Sequence, residues 1–381
     1  MTHRERILAA LRRKVPDLLP IDFGGTLAST INIKAYEALR DYLGVDAGVP
    51  PRLISLRAAA VFPSETILRR FGADARILIL GAAESKPDRH VDEDSYVDEW
   101  GVTCTRHGGH YLNTDGPFYH LDEPTLRDLE KYDWPDPADP GRYRGLRERA
   151  KELHENTDCA VIFHPPGLGL IGQGQFLRGF AQWMEDMLLR PAFFEALLDR
   201  ITSIYVEITT RALDEAGDCM DAVLFGDDLS NQRAPFFRVE LYRKLIKPYQ
   251  KQMVDTVKRR GKPIVFHCCG AAYPFIPDLI DLGIDALNPV QVSAAGMDTK
   301  RLKREFGRDL TFWGGVDTQS VLPRGSREDV RREVKSRIED LASGGGYVLA
   351  SVHTIQAEVP PENVVAMLEA ALEYGRQGAI A

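Results

Sequence analysis

The sequence predicts an α/β chain folded as a single (β/α)8 TIM barrel, with a β-rich excursion after the second strand. Three features carry this expectation. Short apolar runs recur along the 381 residues, longer amphipathic stretches separate them, and polar residues gather directly after the runs. Strands alternating with helices imply βαβ crossovers, and about eight such units imply a closed barrel rather than an open sheet. Composition agrees, because 44% hydrophobic and 27% charged residues supply a large core under an ordinary surface.

The eight runs occupy residues 18–23, 75–80, 160–163, 222–225, 263–266, 286–288, 310–313 and 347–350. Each is short, rich in β-formers and apolar on both faces, the pattern of a buried parallel strand. Helical periodicity covers 193–216, 242–260, 330–341 and 364–374. Between about 91 and 140 the rhythm breaks into a polar, aromatic, proline-rich stretch. Strand-like pieces at 100–103 and 111–113 mark it as an excursion from the barrel, closed by the turn-rich Trp134-Pro135-Asp136-Pro137. Its tryptophans and tyrosines argue against a disordered linker. Residues 1–381 are therefore read as one barrel domain carrying this insertion.

A net charge of −8, from 48 basic and 56 acidic residues, argues against nucleic acid or an anionic membrane as the main partner. The five cysteines (Cys104, Cys159, Cys219, Cys268 and Cys269) are odd in number, and two are adjacent. That suits a reducing compartment better than a disulfide framework. No signal-peptide pattern opens the chain and no apolar run is long enough to span a bilayer, so the expectation is a cytoplasmic protein.

In an α/β barrel the residues just after each strand face the active-site mouth. The third run ends in His164-Pro165-Pro166-Gly167, the fourth in Gly226-Asp227-Asp228, and the fifth in His267-Cys268-Cys269-Gly270. Asn288 and Gln291 follow in the sixth, Gly314-Gly315-Val316-Asp317-Thr318-Gln319 in the seventh, and Ser351-Val352-His353 in the eighth. Six consecutive runs ending this way are hard to explain by packing alone. Strand alternation lets His267 and Cys269 share a face while Cys268 turns away. A thiolate beside an imidazole is half of a zinc site, and His353 is the best third ligand in the sequence. Three such ligands leave one position open, which is the catalytic arrangement. The alternative is a packed strand end with a buried cysteine and a hydrogen-bonded histidine.

Asp227 and Asp228 could complete the metal shell, orient a ligand imidazole or act as a general base; alternatively, one of them caps the next segment. The candidate catalytic residues are thus Asp227, Asp228 and His353. His164, Asn288, Gln291, Asp317 and Gln319 are candidates for substrate contact, although His164 also reads as a hydrogen-bonded loop histidine. His90, His107, His110, His120 and His154 lie in the excursion or on helices and read as surface or structural residues. Gly344-Gly345-Gly346 precedes the eighth run, on the wrong face of the barrel, which excludes a nucleotide cradle.

Several stretches resemble the uroporphyrinogen decarboxylase superfamily, and most closely its cobamide-dependent methyltransferase branch. They are His267-Cys268-Cys269-Gly270, Leu287-Asn288-Pro289-Val290-Gln291, Phe312-Trp313-Gly314-Gly315-Val316-Asp317, and His353 leading into Val359-Pro360-Pro361-Glu362-Asn363. The resemblance runs over nearly the whole chain, from Arg4-Glu5-Arg6-Ile7 onward. It implies zinc at a His-x-Cys pair, here His267 and Cys269. It also implies a corrinoid protein in trans and a small-molecule methyl donor or acceptor, and it leaves a homodimer open. The decarboxylases carry an arginine-rich loop after the first strand and an aspartate after the second. Here those places read Gly24-Gly25-Thr26-Leu27-Ala28-Ser29-Thr30 and Gly81-Ala82-Ala83, which argues against a substrate with many carboxylates. The methyltransferases place a late cysteine where this chain has His353. One thiolate instead of two implies a more Lewis-acidic zinc, suited to an ether or alcohol oxygen. The other outcome is no metal, with His353 in a direct acid–base role. The expected activity is zinc-dependent methyl transfer to or from a corrinoid protein. A lyase acting on a smaller acid and a non-catalytic small-molecule-binding barrel are the alternatives.

Overall fold

The computed structural model describes residues 1–165, 167 and 169–375. Seven parallel strands lie side by side in chain order: Ala75–Ile79, Ala160–His164, Ala222–Gly226, Ile264–His267, Ala286–Asn288, Thr311–Val316 and Tyr347–Ser351. They occupy the second to eighth apolar runs, and the sheet they form curls as in a TIM barrel.

The first run differs from the expected strand. Its only ladder contact, among the described residues, is a parallel bridge between Ile21 and Leu349. Leu349 N donates to Pro20 O at 3.0 Å, and Asp22 N donates to Leu349 O at 2.8 Å. On the other side Asp74 N donates to Ile21 O at 2.8 Å, while the Asp74 carboxylate accepts from Ile21 N at 2.7 Å. Pro20 has no N–H to offer a ladder, and a side chain takes the place of a strand partner. The segment still joins the eighth strand to the start of the second.

Inside the sheet, Ala160, Ile162, Leu224, Val265, Trp313 and Val348 form one buried cluster. Ile7, Ala10 and Leu11 of the N-terminal helix His3–Leu11 join it. A strand alternates its side chains between faces, so continuing the inner set toward the mouth reaches His164, Gly226, Asp228, His267 and Asn288. The register agrees, since His267 pairs with Gly226 on one side and Asn288 on the other. A Cβ on Gly226 would lie 1.9 Å from His267 O, so only glycine lets the strands approach here.

Helices Pro191–Ala216, Arg327–Leu341 and Pro361–Tyr374 cover the outside. The single helix expected over 242–260 is two, Val239–Leu245 and Lys247–Lys258. Pro248 near the start of the second cannot donate to a carbonyl of the preceding turn, and the ladder breaks there. The excursion opens as a four-stranded antiparallel sheet: Arg89–His90, Ser95–Val97, Thr103–His107 and His110–Asp115. Its remainder is loop with short helices at Leu126–Lys131 and Pro140–Tyr143. Aromatic contacts fasten it to the barrel, with the Trp100 ring 5.5 Å from that of Tyr205 on the long helix. A second small sheet, Ile31–Asn32 with Ala60–Phe62 and Arg52–Ser55, stands between the first and second barrel strands and was not anticipated. No helix among the described residues is long and apolar enough to cross a membrane.

Candidate active site and metal centre

His267 ends the fifth barrel strand, and two neighbours fix its ring. Its Nδ1 lies 3.2 Å from Asn288 Oδ1, and its Nε2 lies 3.3 Å from Cys269 Sγ. An amide oxygen at Nδ1 favours the tautomer that leaves Nε2 free as a ligand. Cys269 is just past the strand end. Its position is set by its backbone N–H, which donates to Asp228 Oδ1 at 2.7 Å. His353 arrives from the eighth strand with its ring 5.8 Å from that of His267. One ligand atom each from His267, Cys269 and His353 fits within 4.8 Å of the others. Zinc–ligand bonds of about 2.0–2.3 Å bring tetrahedral ligands to roughly 3.3–3.7 Å apart, so small side-chain rotations suffice.

The electrostatics suit a cation. Burial, reinforced by His267, pushes the His353 imidazole down to about 4, although solvent still reaches one side of it through the mouth. Burial does the same to His164, also to about 4. Both shifts favour the neutral ring, which can offer a lone pair. The Cys269 thiol is held well above its ordinary value, first by burial and then by Asp228. A bare thiolate is disfavoured there, and a divalent cation would reverse that balance. The donor set therefore fits zinc. Cys268 is fully buried in the outer core layer, and burial pushes its thiol up as well.

The paired aspartates divide. Asp228 has the inner parity, is half-exposed in the mouth, and has its Oδ1 3.9 Å from His267 Nε2. Asp227 points outward and is buried, where its carboxylate accepts from Ile171 N and Gln250 Nε2, both at 2.7 Å. Burial raises it to about 7, against the opposing pull of the Gln250 bond. Asp227 ties the helix Gly169–Arg178 to the fourth strand. Gly169, at φ +83, leaves no room for a Cβ against Gly226 O and Asp227.

A cavity of about 360 Å³ opens beside the cluster, and His164, Asp227, Asp228, His267 and His353 line it. Its other walls are mostly apolar: Leu27, Ala28, Leu170, Ile171, Phe176, Tyr205, Phe225 and Met253. Of the residues expected to touch substrate, His164 lines this space, its Nδ1 3.0 Å from Pro165 O; Pro166 of that run lies outside the described residues. Asn288 sits behind His267. Gln291 is buried and accepts from Gly270 N at 2.7 Å, holding the turn after the fifth strand. Asp317 and Gln319 have no place in the cavity lining. The Asp317 carboxylate instead accepts from Gln319 N at 2.8 Å and Ser320 N at 3.2 Å, curling the chain into the helix Val321–Arg324. Sequence reasoning missed Arg57, Ser55, Gln175, Tyr205 and Thr354, all lining the cavity. They come from the unexpected sheet, the helices outside the barrel and the residue after His353. Only Thr354 carried a signal, its position at a strand end.

The family model for uroporphyrinogen decarboxylase matches residues 115–374. The chain belongs to this family. Among curated relatives, the uroporphyrinogen decarboxylase of Geobacter sulfurreducens is 22% identical, over 67% of this chain and 72% of its own length. That of Alkalilimnicola ehrlichii is 23% identical over 96% of this chain and 93% of its own. The methylcobamide:CoM methyltransferase MtbA of Methanosarcina acetivorans is 23% identical over 61% of this chain and 65% of its own. Among solved structures, a methyltransferase from Methanosarcina mazei superposes with a TM-score of 0.67 at 18% identity, covering 98% of this chain and 99% of that one. At that identity the superposition establishes a shared fold.

Proposed function

We propose that this member of the uroporphyrinogen decarboxylase family is a zinc-dependent methyltransferase. It moves a methyl group between a small compound and the cobalt of a corrinoid protein supplied in trans, and it works in the cytoplasm. One observation carries the reading: His267, Cys269 and His353 converge within 4.8 Å at the mouth of a largely apolar cavity. Zinc held by these three would supply a Lewis acid that polarises the heteroatom giving or receiving the methyl group. The chain's own residues do the rest. Apolar walls bind the substrate body and exclude water, Asn288 orients His267, and Asp228 sets a negative charge beside the cation. In the transfer, the methyl group's bond to one atom breaks with the pair staying on that atom, and the acceptor atom supplies the pair for the new bond.

The decarboxylase reading is disfavoured by the first loop, where Thr26 Oγ1 donates to Asp22 at 3.0 Å and residues 24–30 offer no cation to grip propionates. The test is metal content. Wild type should purify with about one equivalent of zinc per chain. Cys269→Ala should lose most of it and Cys268→Ala should keep it, since Cys268 faces the outer core. Equal loss in both variants, or none bound by wild type, would overturn the assignment.

A further inference from the structure

His164 closes the strand Ala160–His164, two residues beyond Ile162 of the inner cluster, so alternation turns its ring into the barrel mouth. There it lines the cavity that His267 and His353 also line. Its Nδ1 lies 3.0 Å from Pro165 O. A carbonyl oxygen only accepts, so this contact places the proton on Nδ1 and leaves a bare lone pair on Nε2. Burial favours that neutral ring. Nε2 has no partner among the described residues, yet it keeps solvent-accessible surface, so its lone pair opens on the cavity. Three donors of the same lining are already committed. The Tyr205 hydroxyl donates to Gln173 Oε1 at 3.1 Å, Gln250 Nε2 to Asp227 Oδ2 at 2.7 Å, and Thr354 Oγ1 to Leu27 O at 3.0 Å. With these spent inside the wall, the complement of Nε2 is an O–H or N–H brought by a bound molecule.

We propose that His164 determines specificity at this site by accepting a hydrogen bond from an O–H or N–H of the small substrate. That substrate is then an apolar compound bearing a hydroxyl or amino donor, rather than one whose polar atoms all accept. The proposal rests on the methyl-transfer reading of the same cavity. The metal cluster takes a lone pair of the methyl-bearing heteroatom, whereas His164 meets a hydrogen on a second polar group, and two such contacts orient the body between them. The aromatic walls, Phe176, Tyr205 and Phe225, suit a ring-sized body there. An analogue without the donor would strip water from Nε2 and leave it unpaired, which is how a polar group in an enclosed site discriminates.

The test titrates the purified protein calorimetrically with 3-methoxyphenol and with 1,3-dimethoxybenzene, in which a methyl group replaces the hydroxyl hydrogen. The phenol should bind about 3–10-fold more tightly, the range for one neutral hydrogen bond. His164→Phe keeps a ring but no acceptor, so it should abolish this preference without changing metal content. His164→Gln, whose amide oxygen can accept, should retain part of it. Equal or reversed affinities in wild type would overturn the proposal, as would an undiminished preference in His164→Phe, which would trace it to the bulk of the extra methyl group. The wild-type comparison stands even if the phenylalanine variant folds poorly. Neither readout needs a corrinoid protein or turnover. A protein that transfers methyl groups but shows no such preference refutes this inference alone, and one that has the preference but never transfers methyl refutes the functional reading alone.

Discussion

Replacing Asn288 with leucine removes the one acceptor that the His267 Nδ1 proton has, while nearly preserving side-chain volume. Asn288 Oδ1 stands 3.2 Å from Nδ1, and the side chain is 1% exposed, so no water replaces it readily. Without the acceptor, His267 loses the bias toward the tautomer with a free Nε2, and its ring is no longer fixed toward Cys269. Removing such a partner of a ligand histidine typically costs about 10–100-fold in metal affinity, or roughly 1.4–2.7 kcal/mol. The Asn288 carbonyl, which accepts from Cys268 N at 2.7 Å, is untouched, so the strand pairing should survive. The assay is competition for zinc against a chromophoric chelator, alongside thermal melts of the metal-free protein. Asn288→Leu should weaken zinc binding by that factor with a nearly unchanged metal-free melt, and Asn288→Asp should retain affinity. Wild-type affinity in a folded Asn288→Leu protein would refute the orienting role.

The other expectations separate stability from activity. Asp227→Asn sets an amide against the donors of Ile171 N and Gln250 Nε2, so it should cost about 1–3 kcal/mol in denaturant unfolding. Asp228→Asn can still accept from Cys269 N, so it should change stability by less than about 0.5 kcal/mol while lowering metal affinity or methyl transfer about 10–100-fold. The reverse pattern would exchange the two roles. At the closed end of the barrel, the Asp74 bond raises His3 above 6.5, with burial opposing. Because the folded value exceeds the unfolded one, this stabilisation is complete below about pH 6.5 and fades as pH rises through the folded value. His3→Ala should therefore destabilise by about 1 kcal/mol or less near pH 6 and by less near pH 9, read from melts at both pH values. A deficit that grows with pH would contradict the pairing.

The second to eighth barrel strands were legible because a parallel strand buried on both faces must be a short apolar run, and nothing else in the chain imitates seven of them in sequence. The first was not, because Pro20 and the Asp74 side chain replace ladder bonds, and the Asp74 contact is 53 residues distant in sequence. Strand ends named the residues at the mouth, but not their orientation. Asp227 and Asp228 are equivalent as letters, and alternation from Leu224 sends one outward and one inward. Asp317 and Gln319 looked like mouth residues because a strand precedes them, yet a local carboxylate cap turns that segment aside. Arg57 was invisible for another reason: its small sheet is built from strands of two to four residues that carry no periodicity.

The central claim is tested most directly by methyl transfer between a methylated small molecule and a reduced corrinoid protein, followed by the cobalt absorption change. Metal-loaded and metal-stripped protein should be compared, each with and without the corrinoid partner. The account predicts transfer only when metal and partner are both present. Methyl transfer without any corrinoid, or at the same rate after zinc is removed, would contradict it.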